Sequence, residues 1–247
     1  MTTDPSRSRP ARPHAKFTDD GNRVREVLSY SRRGSRLGAG AQRAWDARAG
    51  AWVIPDEAVD DPDFSWAHWF GRFAPLVVEI GSGAGESLAA LAASRPSYDV
   101  VAFEVWRPGV ASSLTRLEAA GACNVRLVQV DAVWSMKYLF ARGSIAELWT
   151  FFPDPWPKQR HHRRRLVQPD LVHDAASALV EGGLWRLATD WSAYAEQMAE
   201  VLEGEPLLTG SVTPRWEERP LTRFERRGLA AGRPVTDLTY RRITSGP

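Results

Sequence analysis

The sequence predicts an α/β protein built on a mostly parallel, doubly wound sheet. Three observations carry that expectation. Apolar runs of strand length alternate with helix-forming segments, the first run ends in a cluster of glycines, and an acid stands in or just after each of the first four runs. The elements follow in order. "PLVVEIGSGAGES" (75–87) is a strand that breaks at glycine, with a helix from Ser87 to Ala93 behind it. "YDVVAFEV" is the second strand, followed by a helix to Ala120. "NVRLVQVDA" is the third, "IAELWTFF" the fourth and "GGLWRLATD" the fifth. A helix from Pro169 separates the last two, and Trp191, Tyr194, Ala195, Met198 and Leu202 recur at helical spacing after Asp190. Right-handed crossovers bring the C-terminal ends of all these strands to one edge, where ligands of such sheets bind.

The 247 residues suffice for one large core, expected over 51–247. Residues 1–23, rich in Pro, Ser and Arg, read as a disordered tail, and 24–50 as a basic arm. Positions 1–50 hold a surplus of six cations, so the remainder is net negative by four within a total of +2. A basic arm on a neutral body suits a polyanionic partner, although a solvated tail has the same composition. No run reaches the ~18 apolar residues of a membrane span, and no signal-peptide core precedes the domain. The single Cys123 excludes a disulfide framework and a cysteine zinc site, and a reducing cytoplasm is the simplest setting. Adjacent His161 and His162 lie among arginines without acids, so no metal site is expected.

Candidate ligand residues follow from the strand ends. Glu79 interrupts an apolar strand, an expensive place for a carboxylate without a partner. Gly81, Gly83 and Gly85 let backbone approach a ligand closely. Glu104 either accepts from ribose hydroxyls or ends its strand in solvent; Asp131 either reaches an adenine or caps a helix. A dinucleotide site would need a pyrophosphate where Glu86 stands, and a carboxylate there is repulsive. A donor with a cationic amino-acid end and no phosphate, such as S-adenosylmethionine, suits these acids better.

The fourth strand runs into "FFPDPWPKQRHHRRR" (151–165), where prolines stiffen a loop around Asp154 and Trp156. Trp156 either stacks on a base or packs beneath the loop. Cysteine-dependent methylation of a pyrimidine is disfavoured because Cys123 precedes the third strand, far from this edge.

This motif, with "VVEIGSGAGES", "FEVWRPGV", "ATDW", "TRFERRG", "DLTYRR" and the N-terminal "VLSYSRRGSRLGAGAQRAWD", closely resembles the bacterial tRNA (guanine-N7-)-methyltransferases over residues 24–243. The resemblance implies a Rossmann-like class I methyltransferase fold with an antiparallel final strand near Asp237–Ile243. It implies S-adenosylmethionine contacts at Glu79, Glu104, Asp131 and Asp154, with Asp154 also the catalytic acid. Substrate contacts are implied at Lys158, Asp190, Thr222, Arg223, Phe224 and Glu225, and the target is guanine 46 of the tRNA variable loop. On the residues themselves, Glu225 and Asp190 are candidates to read the guanine edge, Asp190 also being placed to cap a helix. Arg160, Arg163, Arg164 and Arg165 are candidates to hold RNA phosphates. Two departures are Ser82, where the family often has phenylalanine, and Arg223, where it usually has lysine. Methylation of another RNA, or RNA binding without catalysis, are the alternatives. Oligomeric state and tRNA preference stay open.

Overall fold

The computed structural model describes residues 28–30 and 34–244. The expected disordered tail, 1–23, lies outside the described residues, as do 24–27 and 31–33 of the expected arm. The rest of that arm enters α1 (Ala39–Trp52), so the expected domain boundary at 50/51 falls inside a helix. This helix lies against α4 (Arg107–Ala120), held by an Arg48–Glu118 ion pair at 2.6 Å and by the Arg107 guanidinium 4.3 Å over the Trp45 ring.

The chain continues through β1 (Val53–Ile54), α2 (Trp66–Phe70), β2 (Leu76–Ile80), α3 (Glu86–Ala93), β3 (Asp99–Phe103), α4, β4 (Val125–Val128), α5 (Ala132–Tyr138) and β5 (Ile145–Phe151). Then come α6 (Pro169–Ala178), β6 (Leu179–Thr189), α7 (Ser192–Glu203), β7 (Leu208–Thr213), α8 (Arg223–Ala230) and β8 (Thr236–Arg242). The strands form one eight-stranded sheet in the order β1-β4-β3-β2-β5-β6-β8-β7. Neighbours up to β6 run parallel, and β8 is antiparallel to both β6 and β7. The expected antiparallel last strand is present.

Apolar side chains alternate between two cores because successive strand residues face opposite sides. Val78, Ile80, Val101, Phe103 and Leu148 join the core that includes Met136 of α5, Leu171 of α6 and Met198 of α7; Val77, Val100, Ala102 and Trp149 join Leu88, Leu91, Val110 and Leu114 of α3 and α4. Coverage on both faces is why the five expected strands read as nearly continuous apolar runs. The order turns back at β2, which lies between β3 and β5. The crevice beyond the ends of these strands is where a ligand fits in an open parallel sheet.

Helices α1, α2, α5 and α8 and strands β1 and β7 were not expected. β1 has two residues, α5 is a seven-residue helix, and β7 is an edge strand with four of its six positions exposed. Gly210 of β7 is required by close approach: a Cβ there would lie 2.2 Å from the Thr239 carbonyl oxygen.

Helix α4 presses equally closely on the glycine turn after β2, since a Cβ on Gly109 would lie 2.5 Å from the Gly83 carbonyl oxygen. Helix propensity alone makes Gly109→Ala stabilising by about 1 kcal/mol. The backbone contact reverses that sign, and urea unfolding should report a loss of about 1–3 kcal/mol. A rise in stability would show that α4 and the turn are less tightly engaged.

Candidate active site

A cavity of about 440 Å3 opens where the order reverses. Its wall is built from the ends of β2, β3 and β5, residues next to β4, the N-terminal turns of α8, and Ser29 and Tyr30. Gly81, Gly83 and Gly85 all have positive φ, which lets the chain turn back under the cavity. Glu104 ties this turn to the next loop: Gly83 N–H donates to its Oε2 and Trp106 N–H to its Oε1, both at 2.7 Å. A carboxylate oxygen accepts more than one hydrogen bond, so the residue is compatible with the expected ribose contact.

Glu79 is the unusual group. It is buried in β2, and its Oε2 has no hydrogen-bond partner among the described residues. Burial, assisted by the nearby Glu104 charge, raises its pKa to about 8. Four acids stand on the cavity wall (Glu79, Glu86, Glu104, Asp154) against two arginines, Arg223 and Arg227, with Glu79 keeping its proton near pH 7 until a cation lies beside it. The wall therefore favours a cationic ligand and repels a diphosphate. Asp131 caps α5, its Oδ1 accepting from Val133 N–H at 2.8 Å and Trp134 N–H at 3.2 Å. Burial raises its pKa against the pull of those bonds. Its neighbours Val130 and Ala132 contribute to the wall.

The proline loop holds Asp154 between two residues in left-handed backbone, Phe152 at φ 52° and Trp156 at φ 44°. Such conformations cost about 1–3 kcal/mol each for bulky residues and persist only where surroundings fix them. Phe152 N–H donates to the Ala188 carbonyl at 2.7 Å, and Trp156 Nε1 donates to the Ser29 carbonyl at 3.0 Å. The Arg164 guanidinium lies 3.6 Å from the centre of the Trp156 ring and donates to the Leu28 and Tyr30 carbonyls. One face of Trp156 is thus covered by Arg164, and the residue is half-buried.

The arginine cluster divides. Arg165 is 3% exposed; it donates to the Pro155 and Ala193 carbonyls and to Gln197 Oε1 and lies over Tyr194, so it anchors the loop and is not a phosphate contact. Arg164 is likewise committed to the chain itself. Lys158, Arg160 and Arg163 are exposed.

The "TRFE" stretch begins α8. Thr222 is its N-cap, with Oγ1 accepting from Glu225 N–H at 3.2 Å. Arg223 and Phe224 reach the cavity wall. Glu225 does not: it is buried and accepts from Arg215 at 2.8 Å and Arg219 at 2.6 Å. Burial opposes its ionisation, but these arginines prevail and lower its pKa. The expected guanine contact at Glu225 is corrected, because both oxygens are held by arginines inside the protein. Asp190 bonds Arg233 at 2.8 Å and abuts Gly228 of α8; it makes no helix cap and lies off the cavity wall. Arg215 and Arg219 had no signal in an arginine-rich sequence, and Ser29, Tyr30 and Arg227 reach the wall only through tertiary packing.

No group of three His, Cys, Asp or Glu suited to a metal ion occurs among the described residues, and none of their helices is long and apolar enough to cross a membrane.

A carboxyl whose pKa rises on folding keeps its proton where the unfolded chain has lost it. Stability then falls between about pH 5 and 8, by about 1.4 kcal/mol per unit, and flattens above. Glu79→Gln removes that term. Its thermal midpoint should match the parent near pH 5 and exceed it increasingly up to pH 8. Parallel curves from pH 5 to 9 would show that Glu79 ionises normally.

Comparison with known proteins follows this geometry. The family model described as "Putative methyltransferase" matches residues 73–238. A protein of Nocardioides sp. named tRNA (guanine-N(7)-)-methyltransferase is 62% identical over 238 residues, 96% of each chain. One of the same name from Cutibacterium acnes is 47% identical over 242 residues, covering 90% of this chain and 86% of that one. Among solved structures, the 16S rRNA methyltransferase KamB superposes with a TM-score of 0.51 at 16% identity, over 73% of this chain and 94% of that chain, which supports the fold alone. With relatives this similar over nearly its whole length, the chain belongs to the bacterial tRNA (guanine-N7-)-methyltransferase family.

Proposed function

We propose that the protein transfers the methyl group of S-adenosylmethionine to N7 of a guanine in tRNA, guanine 46 of the variable loop. The observation that carries this reading is the buried Glu79 carboxylate, partnerless at Oε2, on the wall of an acidic cavity that also holds Asp154 in a strained loop. Such an oxygen suits the ammonium of an amino-acid-bearing donor, and the glycine turn leaves room for close approach. When bound, S-adenosylmethionine supplies an electrophilic methyl on a sulfonium.

The residues of the chain have four tasks. Glu79 accepts from the ammonium group and Glu104 from the ribose, while Asp131 lies at the adenine end. Gly81, Gly83 and Gly85 bring backbone against the donor. Asp154, fixed between prolines on the cavity wall, would give electrostatic support to the positive charge that the transfer passes to the purine. Guanine N7 has no proton to lose, so no strong base is required, and alignment with electrostatic support is the chain's contribution. Lys158, Arg160 and Arg163 hold phosphates, with Thr222, Arg223 and Phe224 at the mouth beside the base, and Asp190 steadies α8 from behind through Arg233.

The purified protein, unmodified tRNA transcript and methyl-labelled donor test this directly, using chain cleavage selective for 7-methylguanine. One cut in the variable loop is expected; label without that cut would move the target, and no label with tRNA bound would leave a binding protein. Asp154→Ala should lower kcat about a hundredfold with tRNA affinity unchanged, and normal turnover would remove Asp154 from the reaction. Replacing Arg160 and Arg163 by glutamine should reduce the salt slope of tRNA binding by about one per residue. An unaltered slope would place both side chains away from RNA.

A further inference from the structure

Seven buried side-chain polar atoms lack a hydrogen-bond partner among the described residues, and two belong to residues of the cavity wall: Glu79 Oε2 and Ser82 Oγ. They stand three positions apart, one at the end of β2 and the other inside the glycine turn. Resting on the donor assignment above, we propose that Ser82 is a ligand-binding residue whose hydroxyl donates to the carboxylate at the amino-acid end of the methyl donor, while Glu79 accepts from the ammonium group.

The argument is one of complementarity and distance. An α-amino acid carries its ammonium and carboxylate on one carbon, so the partner of the carboxylate must lie within a residue or two of Glu79 in space. Backbone amides of a glycine turn commonly fill this role, but here they are largely committed. Gly81 and Ser82 N–H donate to the Phe103 carbonyl, Gly83 N–H to Glu104, and Gly85 N–H to the Ser82 carbonyl. The two arginines on the wall come from α8, not from the turn. The Ser82 hydroxyl is the side-chain donor that the turn leaves available, beside the Ala84 N–H. The residue is 8% exposed, and rotation about χ1 would turn its oxygen toward a seated ligand. A hydroxyl shut away without a partner is costly until a ligand supplies one.

Calorimetric titration of the purified protein with two ligands tests the assignment. S-adenosylhomocysteine carries the amino-acid end, and 5′-methylthioadenosine lacks it. Ser82→Ala should weaken the first about tenfold or more and leave the second within about twofold. Equal weakening of both would reduce Ser82 to a general support of the turn, and unchanged affinity for both would remove it from the site; either result overturns the proposal. Failure of the unaltered protein to bind S-adenosylhomocysteine would instead overturn the donor assignment beneath it.

Discussion

A single buried guanidinium holds the catalytic edge together. The Arg219 side chain has no exposed surface and bonds Glu225 at 2.6 Å and Asp237 at 2.8 Å. It lies 5.6 Å from the Phe151 ring centre and 5.2 Å from that of Phe152. The sheet register explains how one residue reaches so far: Phe151 pairs with Ala188, and Ala188 with Asp237, so β5, β6 and β8 present these residues in one row. Glu225 then fixes the start of α8, which brings Arg223 and Phe224 to the cavity, while the phenylalanines lead into the loop of Asp154. With Arg215 included, the network balances two cations against two anions. Buried ion pairs give up in desolvation most of what they gain in attraction, so the network is better understood as fixing geometry than as adding stability.

Local rules are broken mainly where the site needs them broken. Most of the sheet obeys burial and alternation, but Glu79 places a carboxylate in a buried strand, and Phe152 and Trp156 adopt backbone that bulky residues avoid. Each departure is unfavourable alone. The surrounding structure maintains it: Glu104 knots the glycine turn, Ala188 holds Phe152, and Arg164 with the Ser29 carbonyl holds Trp156. A buried carboxyl at Glu79 and strained backbone at Phe152, both on one cavity wall, suit a preorganised site.

The same physics decides how much was legible in the sequence. β2 through β6 announced themselves because strands covered on both faces are written as apolar runs, and a carboxylate such as Glu79 stands out within one. β7 did not, because an edge strand with Gly210, Ser211 and two threonines resembles a loop until its partner β8 is known. The acids at the strand ends could be named in advance, since topology alone collects those ends. The arginines could not be sorted. Arg163 and Arg165 are two positions apart in one run, yet a 3-10 turn directs one to solvent and buries the other against Tyr194. Glu225 misled for a related reason: "TRFE" places the acid three residues after its N-cap, and its partners Arg215 and Arg219 lie in a loop with no periodic pattern.

The distribution of charge follows from the two ligands that have to meet. The donor is a small cation and the acceptor a large polyanion, so a uniform field of either sign would hold one and repel the other. The chain separates the fields by depth. Acids predominate on the cavity wall, whereas Lys158, Arg160 and Arg163 stand exposed on the segment that leaves it. Carboxylates on the wall repel a phosphate without excluding a neutral base. Asp154 stands at the junction, four residues before Lys158 on the same stiffened loop. Prolines on either side stiffen the loop that brings Asp154 to the cavity wall, while Lys158, Arg160 and Arg163, further along the chain, stay exposed.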